Sequence, residues 1–85
     1  MKTFQYTIKE ELGMHARAAG VILQLAKEFK SSIVIANKGK QGDLKKLLSV
    51  IDLDIQHGDT VTVTVEGSDE DVAAEEMQAF FEENL

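Results

Sequence analysis

From Thr60 to Val65 threonine and valine alternate without interruption, three of each. Successive side chains of a strand point to opposite faces, so the valines share one face and the threonines the other. Such a strand belongs to a sheet packed on one side and wetted on the other. This favours an antiparallel sheet with helices on a single face over a parallel sheet covered on both.

The other elements arrange themselves around that strand. Phe4, Tyr6 and Ile8 alternate with Gln5, Thr7 and Lys9 and predict a first strand with one buried face. A short connection containing Gly13 follows. From Ala16 the period changes: Ala19, Ile22, Leu23, Ala26 and Phe29 recur at helical spacing, and the run closes in Phe29-Lys30-Ser31-Ser32. Ser32 to Ala36 is a β-branched run, and Asn37-Lys38-Gly39-Lys40 supplies a turn into a short strand near Lys40 to Gly42. Leu44, Leu47, Leu48 and Ile51 stand at i, i+3, i+4 and i+7, predicting a short amphipathic helix that starts after Asp43 as its cap and ends near Asp52. Gln56-His57-Gly58-Asp59 is a turn before the Thr/Val strand. After Gly67, Ser68 is the expected N-cap of a last helix, with Asp69, Glu70 and Asp71 at its positive end and Val72, Met77, Phe80 and Phe81 as its apolar contacts. The order is βαββαβα in an α+β chain, and 85 residues hold one modest core, so a single domain over residues 1–85 is expected.

The net charge of −6 is unevenly distributed. Residues 15–46 carry seven Lys/Arg against two acids, whereas residues 47–85 carry eleven acids and no Lys/Arg. The basic third attracts anions or acidic partner faces, while the acidic remainder and the scarcity of aromatic residues argue against nucleic-acid binding. With no cysteine and two distant histidines, no metal site and no cofactor are expected. No apolar run approaches a membrane span, so direct membrane insertion is not expected and a cytoplasmic protein is.

The basic third opens on Gly13-Met14-His15-Ala16-Arg17-Ala18-Ala19-Gly20. A helix start leaves N–H groups unpaired and carries about half a positive charge, so an anion there meets donors and field together. Imidazole is a good nucleophile near neutral pH, and a guanidinium presents a fork of donors suited to phosphate oxygens. His15 could therefore accept a phosphoryl group, and Arg17 could hold it. His57, in its Gly-containing turn, has no such surroundings.

This motif between first strand and first helix, in a chain of this length and element order, resembles the HPr family, the histidine phosphocarriers of the bacterial sugar phosphotransferase system. The resemblance runs through the Asn37-Lys38-Gly39-Lys40 turn, Leu44-Lys45-Lys46-Leu47, the Gly58 turn and Glu66-Gly67-Ser68-Asp69-Glu70. It implies an open-faced β-sandwich, with four antiparallel strands and three helices packed on one face. By the same resemblance His15 takes phosphate on Nδ1 from enzyme I charged by phosphoenolpyruvate, and passes it to the IIA domain of a sugar permease. Such a chain is expected to act as a carrier rather than an enzyme turning over alone, with a monomer as the default state. Ala16 and Arg17 would bind phosphate. Met14, Gly20, Val21, Gln24, Lys27, Leu47, Leu48 and Ile51 would meet partners, inside a rim of Arg17, Lys27, Lys45 and Lys46. The alternative is a regulatory or binding module on the same fold, or a carrier serving a non-sugar pathway.

Three positions depart from the family pattern. Ala18 replaces the usual proline, and Leu12 replaces a small polar residue that could cap the histidine's helix. Lys46 stands where many relatives have a regulatory serine, so no such phosphorylation is expected, and Ser49 is a poor substitute in this register. With Lys46 at the position, the resemblance starts the short helix near residue 46 rather than after Asp43.

Overall fold

The computed structural model describes residues 1–85. The elements are β1 (Lys2–Thr7), α1 (Ala16–Lys27), β2 (Ser32–Asn37), β3 (Lys40–Asp43), α2 (Leu47–Ile51), β4 (Thr60–Glu66) and α3 (Glu70–Asn84). All strands join one antiparallel sheet in the order β1-β4-β2-β3. Because β4 lies antiparallel between β1 and β2, those two strands run the same way, and α1 makes the crossover between them. By the same reasoning α2 connects β3 to β4. Crossovers of this kind need a helix to span the sheet, and here the helices pack against one face.

The face they cover is the valine face. Val61, Val63 and Val65 are fully buried and join Ile33 and Ile35 of β2 in a core with Ala19, Ile22 and Ala26 of α1 and Ala73, Met77 and Phe81 of α3. Phe81 sits edge-on to both Phe4 and Tyr6, with ring centroids 5.7 Å apart in each pair, a favoured aromatic geometry. The threonine face stays wetted: Thr60 hydrogen-bonds Thr7 across the strands at 2.8 Å, and Thr62 accepts from Gln5. The first strand, α1, the hairpin and β4 thus follow the expected pattern.

Two helices differ from it. Asp43 does not cap α2: its side chain accepts the Lys45 N–H and its carbonyl accepts the Lys46 N–H, closing a turn that precedes the helix. The N-cap is Lys46, in extended conformation and without a side-chain bond, as the family register implies. Nor does α2 bury the Leu47/Leu48/Ile51 face. Val50 is buried, with Leu44 and Leu53 on either side of the helix, whereas Leu47, Leu48 and Ile51 are 42%, 74% and 43% exposed. Five residues make less than one and a half turns, and four of these five are apolar, so periodicity had no polar face by which to orient the helix. Gly42 on β3 lets α2 approach: a Cβ there would meet the Ser49 carbonyl at 2.8 Å.

At α3 the cap is Asp69 rather than Ser68. Asp69 makes no capping bond of its own because its carboxylate is engaged elsewhere, accepting the N–H groups of Lys30 and Ser31 and the Ser31 hydroxyl. Glu70 reaches back to the Gly67 N–H instead. Val72 is exposed rather than an apolar contact, and Ala73 takes the inward position one residue later. No helix is long and apolar enough to cross a membrane.

Candidate functional site

The segment leading from β1 to α1 is held from two sides. Ile8 is buried and exchanges backbone hydrogen bonds with the β4 approach, its N–H to Asp59 O and its carbonyl from Gly58 N–H. The Lys9 and Glu10 N–H groups both donate to Leu85 O at the end of α3. Gly13 then turns with φ +66°, its N–H bonded to Glu10 O, and a Cβ at this position would lie 2.4 Å from Ile55 O. Only glycine combines that backbone conformation with so close an approach. Met14 donates to Ile55 O at 3.0 Å, and its side chain is 8% exposed and part of the core. Met14 is therefore an anchor beneath the loop, not part of an exposed surface as the resemblance implied.

His15 follows as the N-cap of α1. Its backbone is extended (φ −73°, ψ 168°), its carbonyl accepts the Ala19 N–H as the first helical bond, and its Nδ1 accepts the Ala18 N–H at 3.3 Å. The N–H groups of Ala16 and Arg17 precede that first bond and have no helical acceptor. The ring is half-buried and borders a cavity of about 330 Å³ lined also by Arg17, Ala18, Val21, Phe80 and Asn84. Arg17 is exposed and takes part in none of the three ion pairs, which join Met1 to Glu70, Lys2 to Asp71 and Lys38 to Asp59. An uncompensated guanidinium, free helix-start donors and an imidazole share one small opening. That set suits a small dianion bound to or carried on the ring.

Phe80 and Asn84 were not anticipated in this place. Met77, Phe80, Phe81 and Asn84 recur at i, i+3, i+4 and i+7 of α3, so Asn84 is a polar residue at the end of an apolar stripe. That interruption is the one signal the sequence offered. Asn84 donates to Phe80 O at 3.0 Å, which fixes its amide at the cavity wall.

The remaining expected site residues spread over α1 and α2, which pack together. Val21 is 52% exposed, Gln24 and Lys27 are exposed, and Gly20 is half-buried with open space where a Cβ would go. Leu47, Leu48 and Ile51 add the exposed apolar side chains of α2 described above. Lys46 is exposed, but Lys45 is not a free rim charge: its Nζ donates to Phe29 O at 2.7 Å. Leu12, 72% exposed, leaves capping to His15 itself. Ser49 is held, its Oγ accepting the Asp43 N–H at 2.9 Å. His57 is exposed in its turn and does not line the cavity.

Away from the cavity, three carboxylates have pKa values below their ordinary range. Asp59 is lowered first by the Gln56 N–H, then by Asn37 and Lys38. Asp69 is lowered first by the Ser31 hydroxyl and next by the Lys30 N–H. Glu70 is lowered chiefly by the Met1 amino group and the Gly67 N–H. All three tie loops to the sheet or to α3.

Comparison with known proteins points in one direction. The model of the PTS HPr component phosphorylation site family matches residues 2–83. The phosphocarrier protein HPr of Mycoplasma genitalium is 36% identical over 85 residues, covering 99% of this chain and 97% of its own. The solved histidine-containing phosphocarrier protein of Mycoplasma superposes with a TM-score of 0.90 at 33% identity, over 93% of this chain and 90% of that one. A solved dimer of HPr from Thermoanaerobacter tengcongensis is similar with a TM-score of 0.77 at 30% identity, over 98% and 95% of the two chains.

Proposed function

Since this chain belongs to the HPr family of phosphocarriers of the phosphotransferase system, we propose that residues 1–85 form one carrier domain whose His15 takes a phosphoryl group from enzyme I and delivers it to a IIA domain. The observation that carries this reading is His15 standing as the N-cap of α1 beside an unpaired Arg17, on the rim of one cavity. Nδ1 attacks phosphorus as the bond to the leaving group breaks in line behind it. Arg17 and the N–H groups of Ala16 and Arg17 meet the charge on the transferred oxygens.

Transfer must run onward as well as inward, so the group must not be held too tightly. The site fits that need: it is open, its donors are few, and Arg17 is a surface side chain free to move. Val21, Leu47, Leu48 and Ile51 give partners an apolar contact, while Arg17, Lys27 and Lys46 steer acidic faces toward it. Burying the exposed parts of these side chains favours a transient complex, and the charged rim adds to the rate at which it forms. We take the working unit to be a cytoplasmic monomer, the default for a small carrier of this kind.

Enzyme I with phosphoenolpyruvate is expected to add a single acid-labile phosphate, seen by intact mass, and a IIA domain is expected to remove it. No adduct with an enzyme I that phosphorylates another HPr would sink the proposal. A stable adduct that no IIA domain discharges would favour a regulatory module instead.

A further inference from the structure

The Ala18 N–H points at the atom that the proposed transfer needs free. Its nitrogen lies 3.3 Å from His15 Nδ1, which is the acceptor. A neutral imidazole has one protonated and one accepting nitrogen, so an accepting Nδ1 places the ring proton on Nε2. Ala18 is 8% exposed, and its N–H, like those of Ala16 and Arg17, precedes the first helical bond. Of these three donors only Ala18 finds a partner within the chain, and that partner is the nucleophile of the proposed transfer.

Resting on the carrier reading above, we infer that the Ala18 N–H is a positioning donor with two successive acceptors: Nδ1 of the free ring, and a phosphoryl oxygen once Nδ1 is occupied. In the first state it selects the Nε2–H tautomer, so Nδ1 carries no proton that attack would have to remove. During transfer the Nδ1–P bond forms while the bond from phosphorus to the donor's leaving atom breaks, and that electron pair goes to the leaving atom. The Ala18 proton stays on its own nitrogen and changes only its acceptor. A phosphoryl oxygen is anionic and so a stronger acceptor than a neutral ring nitrogen. The same amide therefore orders the ring before transfer and steadies the phosphoimidazole after it.

The test uses the full ¹⁵N-labelled chain with phosphoramidate as a chemical phosphoryl donor, so that it does not depend on enzyme I. Ala18→Pro removes the N–H within the first helical turn, and Ala18→Gly retains it. In the free wild-type chain and in A18G, a hydrogen-bond coupling is expected between the residue-18 amide nitrogen and Nδ1, with the ring in the Nε2–H form. In A18P the Nε2–H tautomer is expected to lose population. After phosphorylation the coupling should pass from Nδ1 to ³¹P. The phosphohistidine of A18P should hydrolyse faster than that of wild type or A18G by about tenfold or more, the range for loss of one hydrogen bond to a charged group. Absence of the free-state coupling, or equal lifetimes in all three proteins, would overturn the assignment. Should A18P fail to fold, the wild-type couplings before and after phosphorylation decide it alone. A chain that reacts with phosphoramidate but not with enzyme I overturns the carrier reading, and the couplings still judge the role of Ala18.

Discussion

The two ends of α1, about 18 Å apart for twelve residues, are built on opposite plans. At the far end the loop that leaves the helix is tied down by polar contacts. Asp69 takes three donors from Lys30 and Ser31, Ser31 is 1% exposed, and Lys45 closes on the Phe29 carbonyl. At the near end Arg17 has no carboxylate partner, the first two N–H groups have no helical acceptor, and Val21 remains exposed. Unpaired groups lower stability where they are buried, but at an open site they are the means of binding something else. The ties that hold α1 in place therefore gather at the far end, and the groups that can meet a phosphoryl group lie at the near one.

Four substitutions can break or sharpen that contrast. His15→Ala should abolish phosphate acceptance from enzyme I, measured by intact mass. It should cost no more stability than a lost helix cap, about 0.5–2 kcal/mol; a retained acid-labile adduct would move the acceptor elsewhere. Arg17→Ala removes charge-assisted contacts to the transferred group and should slow transfer by about tenfold or more. Its unfolding free energy from chemical denaturation should stay within the scatter of surface substitutions, about 0.5 kcal/mol. Unaltered transfer kinetics would remove Arg17 from the mechanism.

Asp69→Asn should behave in the opposite sense, lowering the unfolding temperature while leaving phosphate acceptance intact. Its pH dependence follows from the lowered pKa. The carboxylate's contribution is fully present above its ordinary value near 3.8 and is lost as pH falls through the lower folded value. Urea denaturation of wild type and D69N should therefore differ at neutral pH and converge in strong acid; a difference that persists at low pH would mean that charge is not what the tie depends on. The smallest effect belongs to Leu48→Gln, at a side chain 74% exposed. Stability should not change, while the KM for phosphorylation by enzyme I should rise by up to about tenfold, the worth of one partly buried leucine at a docking face.

Much of the fold was legible where a pattern repeats. The Thr/Val alternation gave β4 its two faces, and twelve residues of regular spacing placed α1 and its buried Ala19, Ile22, Leu23 and Ala26. His15 and Arg17 were legible as well, because a helix start follows from the change in period at Ala16. The short helix was legible in its place but not in its orientation, since four apolar residues in five leave the buried side undecided. Ser68 failed as a cap for another reason: Asp69 is drawn toward Lys30 and Ser31, 39 and 38 residues earlier in the chain.

The sequence by itself thus determined the element order, the covered face of the sheet, and the placing of an imidazole and a guanidinium at one helix start. These are local matters, set by side-chain spacing and backbone sterics over a few residues. Only the tertiary structure decided that Met14 lies beneath the loop and that Phe80 and Asn84, more than sixty residues away, wall the cavity. It also decided that Nδ1 of His15 is held by the Ala18 N–H. Periodicity states which residues share a face but not what lies opposite it, and a hydrogen bond depends on distances that only the packed chain sets.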